Sequence, residues 1–169
     1  MAEWLTHVLF AFAMCTPLSW YSDWLDQKWV AVAMVGSIFP DINRLGLLLS
    51  DELMSYLIGS QFAWSGIHTV AGIVLLSGIG AVLFRTDRQR RRAFGMLLAG
   101  ALSHLLVDLP QRYADGRMIS NFYTFPIPAP RPPTPGWYVS PDRWVVVIAL
   151  VTAIVVFLLD YHRKGPTSQ

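Results

Sequence analysis

The sequence predicts an all-α integral membrane protein, a bundle of about five transmembrane helices whose second member is broken near Pro40. Composition is the first reason. The chain is 54% hydrophobic and 14% charged, against about 45–50% apolar and about 25% charged in an ordinary soluble domain. Its mean hydropathy is +0.43. The second reason is spacing, because several stretches approach the roughly 20 apolar residues needed to cross a hydrocarbon core of about 30 Å. With 169 residues such spans leave room for a single domain, residues 1–169, so function must sit in the bundle or its loops.

The first span runs from Trp4 to Trp20 and ends in a polar loop, Tyr21 to Lys28. It lacks the basic region that precedes the apolar core of a secretory signal, so it is read as a retained helix. The second, Trp29 to Ser50, contains Pro40, Asp41, Asn43 and Arg44. Proline cannot donate to the helical ladder and biases the residue before it away from helix, so this span should end or break near Phe39, its second half forming a separate short helix. Phe62 to Phe84, Ala93 to Leu109 and Trp144 to Leu159 complete the set. The loop Pro110 to Arg143 holds eight of the eleven prolines, which favours extended backbone. No internal repeat is visible.

Lysine and arginine beside the spans set the expected orientation, since they collect on the cytoplasmic side. Arg85 to Arg92 carries five arginines, and Arg163 with Lys164 follows the last span. Placing both clusters inside puts the C-terminus inside, with the N-terminus and the proline-rich loop outside. Arg112, Arg117, Arg131 and Arg143 then lie outside, against the trend. The net charge of +2 and a pI near 8.9 are read as topology signals, and no nucleic-acid partner is expected. Cys15, the single cysteine, excludes an intramolecular disulfide and a thiolate-rich metal cluster.

Ionisable groups at membrane depth are costly and tend to mark a site, a proton path or a buried pair. Here they are His7 in the first span, Asp41 and Asn43 after the break, His68 early in the third span, and His104 with Asp108 late in the fourth. All fall in the external half under an orientation drawn only from arginine and lysine. His104 and Asp108 are four residues apart, hence on one helix face. Imidazole and carboxylate without thiolate suit zinc, or manganese or iron. Three histidines and two carboxylates, with Asn43 as a weak ligand, suit one ion or two.

Taken singly, each residue has a plainer reading. His7 suits a solvated helix end, and Asp41 a turn or N-cap. His68 suits a hydrogen-bonded packing role, and His104 with Asp108 an intrahelical pair. His162, beside Arg163 and Lys164, is a solvated flank. The joint pattern is what favours a metal site.

At these residues the chain resembles the YdjM-like family of membrane-bound metal-dependent hydrolases. The matching pieces are Thr6-His7-Val8-Leu9-Phe10, Phe39-Pro40-Asp41-Ile42-Asn43, Gly66-Ile67-His68-Thr69 and Gly100 to Asp108, with Tyr123-Thr124-Phe125-Pro126 as a further partial match. The alanine-, valine- and glycine-rich spans and the arginine-rich loop are similar to archaeal versions of that family. The resemblance implies an all-helical membrane domain related to the zinc-dependent phospholipase C and single-strand nuclease superfamily, in which His and Asp hold metal and phosphoesters are cleaved. Two positions depart from the pattern: Asn43 stands where the family usually has a second Asp, and Ala63 where it usually has a histidine. Fewer metals, a different metal and a site without catalysis therefore all stay open.

The expected function is hydrolysis of a phosphoester of a lipid or isoprenoid substrate at the external face of the cytoplasmic membrane. His7, Asp41, Asn43, His68, His104 and Asp108 would hold one or two divalent ions, Asp41 or Asp108 would double as the base, and Arg44, Arg112 and Arg117 would bind substrate. The outer arginines serve equally well as lipid-headgroup contacts or partners of Asp115 and Asp142. The alternative is a non-catalytic metal-binding or structural protein, or a subunit of a membrane complex, in which the polar cluster joins helices. Glycines 72, 78, 80, 95 and 100 suit close helix packing in an oligomer or within the chain.

Overall fold

The computed structural model of the chain describes residues 4–112, 124–127, 136–139 and 142–164. Six α-helices dominate them: α1 (Trp4–Ser19), α2 (Gln27–Gly36), α3 (Asp51–Ile58), α4 (Val70–Val82), α5 (Asp87–Asp108) and α6 (Arg143–Lys164). Two 3-10 segments, Phe39–Leu47 and Trp64–His68, interrupt the series. A parallel pair of two-residue strands, β1 (Gln111–Arg112) and β2 (Tyr138–Val139), is the sole sheet among the described residues. Most of the proline-rich loop, Arg117 included, lies outside them.

Local chemistry sets the helix ends. The Asp26 side chain accepts from the N–H groups of Lys28 and Trp29 at the start of α2. Thr86 and Gln89 form a reciprocal capping box on α5, satisfying donors that would otherwise have no partner. Ser50 caps α3, and Gly59, at φ 72°, closes it in the left-handed conformation that glycine adopts without penalty.

The second apolar stretch breaks where proline interrupts it: α2 stops at Gly36 and the chain tightens into 3-10 geometry from Phe39. Two differences from the sequence expectation are local. The third stretch is not one helix from residue 62, because Trp64–His68 forms a 3-10 turn and α4 begins only at Val70, where Thr69 accepts from Gly72 N. The short helix α3 follows the break without being part of an apolar span.

Helix α5 packs against α1, α2 and α4, and α6 lies along α1. The contact between α2 and α5 is unusually close. A Cβ on Gly100 would stand 1.8 Å from Ala33 O, and one on Gly36 2.2 Å from Leu97 O. Side chains are absent there so that backbones can touch, as in small-residue membrane interfaces.

The outward surface is oily. On α6, Ala149, Ala153, Val156 and Asp160 face inward, while Val147, Ile148, Val151, Ile154, Val155 and Phe157 are each about half exposed. Leu75, Ile79, Val82 and Leu83 of the α4 region are exposed too. Soluble monomers rarely carry an apolar face of this extent. By length and composition, Gln27–Leu47 and Arg143–Lys164 are apolar enough to cross a membrane, and α1 and α4 are shorter apolar helices.

The two ends of the bundle differ. At one, Trp20 Nε1 donates to Asp160 Oδ1 at 2.9 Å, Lys164 Nζ pairs with Asp160 at 2.7 Å, and Arg163 and Arg92 lie over the rings of Trp20 and Trp24. That arrangement gathers the basic residues. The opposite end carries His7, His68 and His104, whereas His162 lies at the basic end.

Candidate metal centre

Four chain segments deliver five chemistry-bearing side chains to one buried place. His7 comes from the first turns of α1, Asp41 from the first 3-10 segment, His68 from the end of the second, and His104 with Asp108 from the last turns of α5. His7, Asp41, His104 and Asp108 are all at most 3% exposed, and the His68 side chain is 10% exposed. The rings of His7 and His104 stack at 3.6 Å, with His68 edge-on to His104 at 5.1 Å.

Asp108 sits at the centre. Its Oδ1 is 3.5 Å from His7 Nε2, and its Oδ2 is 3.2 Å from His68 Nε2 and 3.3 Å from His104 Nε2. Two overlapping sets of ligand atoms, from His7, Asp41 and His104 and from His68, His104 and Asp108, each lie within 4.8 Å of one another.

The helix break determines which histidine nitrogen faces this cluster. The carbonyl of Ser37 would normally be taken one turn on, but Pro40 has no N–H, and Asp41 N–H bonds to Ile38 O instead. The freed Ser37 oxygen lies 2.7 Å from His104 Nδ1, and Pro40 O lies 3.2 Å from His68 Nδ1. Carbonyl oxygens only accept, so each Nδ1 donates its proton, and in the neutral ring Nε2 is then a lone pair on the side of Asp108. Metal-bound histidines are characteristically oriented by this kind of outer hydrogen bond.

The donor set fits a cation. Among the described residues, neither ring nitrogen of His7 and neither carboxylate oxygen of Asp41 makes a hydrogen bond, though all are buried. Polar groups left unsatisfied cost about 1–3 kcal/mol each, and coordination would satisfy them together. The collection of nitrogen and oxygen donors without sulfur suits zinc, manganese or iron.

Asn43 also lies in the first 3-10 segment, its Oδ1 buried and without a hydrogen bond among the described residues. Arg44 Nε stands 3.4 Å from Asp41 Oδ1, and its guanidinium lies over the Trp4 ring at 5.5 Å. Arg112 belongs to β1, but its side chain, like the whole of Arg117, falls outside what is described.

Two contributors were not apparent from the sequence. Ser37 acts through its backbone carbonyl, which no residue type announces; its place three residues before a proline was the available signal. Tyr138, buried on β2, donates its hydroxyl proton to Val107 O beside Asp108. Burial, with the charge of Asp108 adding to it, pushes the Tyr138 phenol above its ordinary range, so it stays a donor. No side-chain signal in the proline-rich loop singled it out.

A helical, membrane-associated protein with a buried histidine–aspartate cluster is therefore the class that fold and site define. The chain belongs to the YdjM inner membrane protein family, whose pattern it matches over residues 1–165. No curated protein and no solved structure matches it.

Proposed function

We propose that this protein is a membrane-embedded, divalent-metal-dependent hydrolase that cleaves a phosphoester of a lipid or isoprenoid substrate. The observation that carries the reading is the convergence of His7, Asp41, His68, His104 and Asp108 in one buried cluster, with the Nδ1 atoms of His68 and His104 tied to the carbonyls of the helix break.

His104 has one Nε2 lone pair and serves one ion. One or two ions would be held by His7, Asp41, His68, His104 and Asp108, the Asp108 carboxylate lying near His7 through Oδ1 and near His68 and His104 through Oδ2. A bound divalent ion would polarise the phosphoryl oxygen and bring the acidity of a coordinated water near neutrality. The protein's own part is to hold the ligands rigidly, to exclude bulk water, and to take the proton of that water on Asp41 or Asp108. Arg44, at the rim beside Asp41, supplies a planar cation for the phosphate, with Arg112 and Arg117 of the following loop as further clamps.

In this reading five segments cross the cytoplasmic membrane, the N-terminus and the site are external, and the basic end with the C-terminus is cytoplasmic. The oily faces of α4 and α6 and the gathering of Arg92, Arg163 and Lys164 at the end opposite His7, His68 and His104 support it.

A second reading, a metal-free polar network that joins helices, is favoured by one observation: three histidine Nε2 atoms approach the Asp108 carboxylate as near as direct pairing requires. Metal analysis of protein purified in mild detergent separates the two. The hydrolase reading expects one or two transition-metal ions per chain, lost in the pair His104→Ala and Asp108→Ala. Absence of bound metal from wild type, or an unchanged content in both variants, would refute it. Metal with no turnover of lipid phosphates or diphosphates would leave a binding protein.

A further inference from the structure

A cavity of about 500 Å³ lies outside the metal cluster, lined by Ala63, Gly66, Thr69, Gly72, Leu75 and Phe125. That volume is within the roughly 300–1,000 Å³ of small-molecule sites. Its position is more informative than its size. Gly66 and Thr69 flank His68, so one end of the groove begins on the 3-10 turn that carries a cluster histidine. Leu75 lies at the other end, six residues or about 9 Å along α4. It is 65% exposed, on the same oily surface as Ile79 and Val82.

The floor is built from absent side chains. A Cβ on Gly72 would stand 2.3 Å from Gly66 O, so α4 and the turn are in backbone contact, whereas a Cβ on Gly66 would meet no atom of the described residues within 4 Å. The far wall is Phe125, whose segment is pinned by Phe125 O accepting from Ala71 N–H at 2.9 Å. This bond occupies a backbone donor at the start of α4. Of the two hydroxyl residues in the lining, Ser65 and Thr69, Thr69 has its Oγ1 engaged with Gly66 O and Gly72 N at 2.7 and 3.1 Å. Its hydrogen bonds are met within the turn, and the groove therefore offers an occupant an apolar surface.

We infer that this groove holds one hydrocarbon chain, acyl or prenyl, of the substrate, which enters sideways from the bilayer with its phosphate leading toward His68. The inference rests on the phosphoester reading and names the part of the substrate that reading leaves open. Continuity with the lipid-facing side of α4 identifies the occupant: in a bilayer, an apolar slot open to the hydrocarbon is reached by lipid tails, not by soluble metabolites. The chain then contributes uniform binding along the groove while the phosphate is placed at the rim.

The test uses full-length protein in nanodiscs and a phosphatidic acid carrying a diazirine in mid-acyl chain. Photolysis is expected to label the peptides holding residues 63–75 and Phe125 several-fold more than α6, and Leu75→Trp or Ala63→Trp should remove that excess while metal content stays the same. Labelling no greater than on α6, labelling indifferent to both substitutions, or cross-links showing that a second copy of the chain covers the groove would each overturn the proposal. Kinetics supply the second arm: in Leu75→Trp, the ratio of KM for a long-chain to that for a short-chain phosphoester should rise about tenfold, and an unchanged ratio counts against the groove. If wild type hydrolyses neither ester, the phosphoester reading fails, and the cross-linking still decides whether the groove takes a lipid chain.

Discussion

Gly100→Ala adds a single methyl group, yet the fold predicts that it disrupts the candidate metal centre one turn away. The added Cβ would stand 1.8 Å from Ala33 O, 2.7 Å from Ala33 C and 2.9 Å from Ser37 N, all of them backbone atoms. A carbon and a carbonyl oxygen settle no closer than about 3.3 Å. Helices α2 and α5 must therefore separate locally by about 1.5 Å, since no rotamer can relieve a backbone clash. The bond from His104 Nδ1 to Ser37 O, now 2.7 Å, would open to roughly 4 Å, beyond hydrogen-bonding distance. Overpacking costs about 1–3 kcal/mol and the lost bond about 0.5–1.5 kcal/mol. Loss of an outer-shell partner of this type lowers metal affinity about 10–100-fold. Gly95→Ala and Gly78→Ala are the controls, because a Cβ at either meets nothing within 4 Å; they should be neutral or gain about 0.5–1 kcal/mol in helix stability. The assays are thermal unfolding in detergent and competitive metal titration with a chelator. Should Gly100→Ala match Gly95→Ala in both, the close approach of α2 and α5 is not what orients His104.

Other predictions concern the remaining supports. Gly72→Ala would place a Cβ 2.3 Å from Gly66 O and 2.5 Å from Ile67 O, displacing the turn that ends in His68; metal affinity should fall about 10–100-fold by equilibrium titration. Arg44→Lys keeps a cation beside Asp41 but loses the planar fork, so metal content should hold while KM for a phosphoester rises about tenfold, near 1.4 kcal/mol. Tyr138→Phe removes the hydroxyl that ties β2 to Val107 O and should lower stability by about 0.5–1.5 kcal/mol in chemical unfolding. It should also weaken metal retention, because Asp108 is the next residue of the same helical turn.

Much of this architecture is legible in the sequence because the hydrocarbon core demands long apolar runs and makes exceptions conspicuous. The run of Val, Ile and Leu in α6 is long and apolar enough to cross a membrane, and His104 with Asp108 stand out in α5 against a similarly apolar background. Apolarity fixes neither where a helix begins nor how its backbone turns. Residues 64–68 continue the apolar stretch, yet form a 3-10 turn ahead of the Thr69 cap. Helix α3 is too short and too polar to register against membrane length. Glycine content pointed to close packing without saying where: Gly72 and Gly100 are in backbone contact with a neighbour, while Gly78 and Gly95 face open space. The orienting acceptors of His68 and His104 are main-chain carbonyls, and side-chain identity carries no direct mark of them.

Those carbonyls make Pro40 more than the end of a helix. Had α2 continued through residue 40, its carbonyls would have been taken internally, and His104 and His68 would face a closed backbone. Pro40 has no N–H to offer Ser37 O in the 3-10 register, and Asp41 N–H, its α-helical partner, turns to Ile38 O; the Ser37 oxygen is thereby freed, and the tighter 3-10 path brings Asp41 beside His7 and His104. Irregular backbone at membrane depth is tolerated where protein buries it, because each exposed backbone group would otherwise be unsatisfied. Here the imidazole N–H groups satisfy the break and the break orients the imidazoles, so the proline contributes to the geometry of the histidine–aspartate cluster without placing a side chain in it.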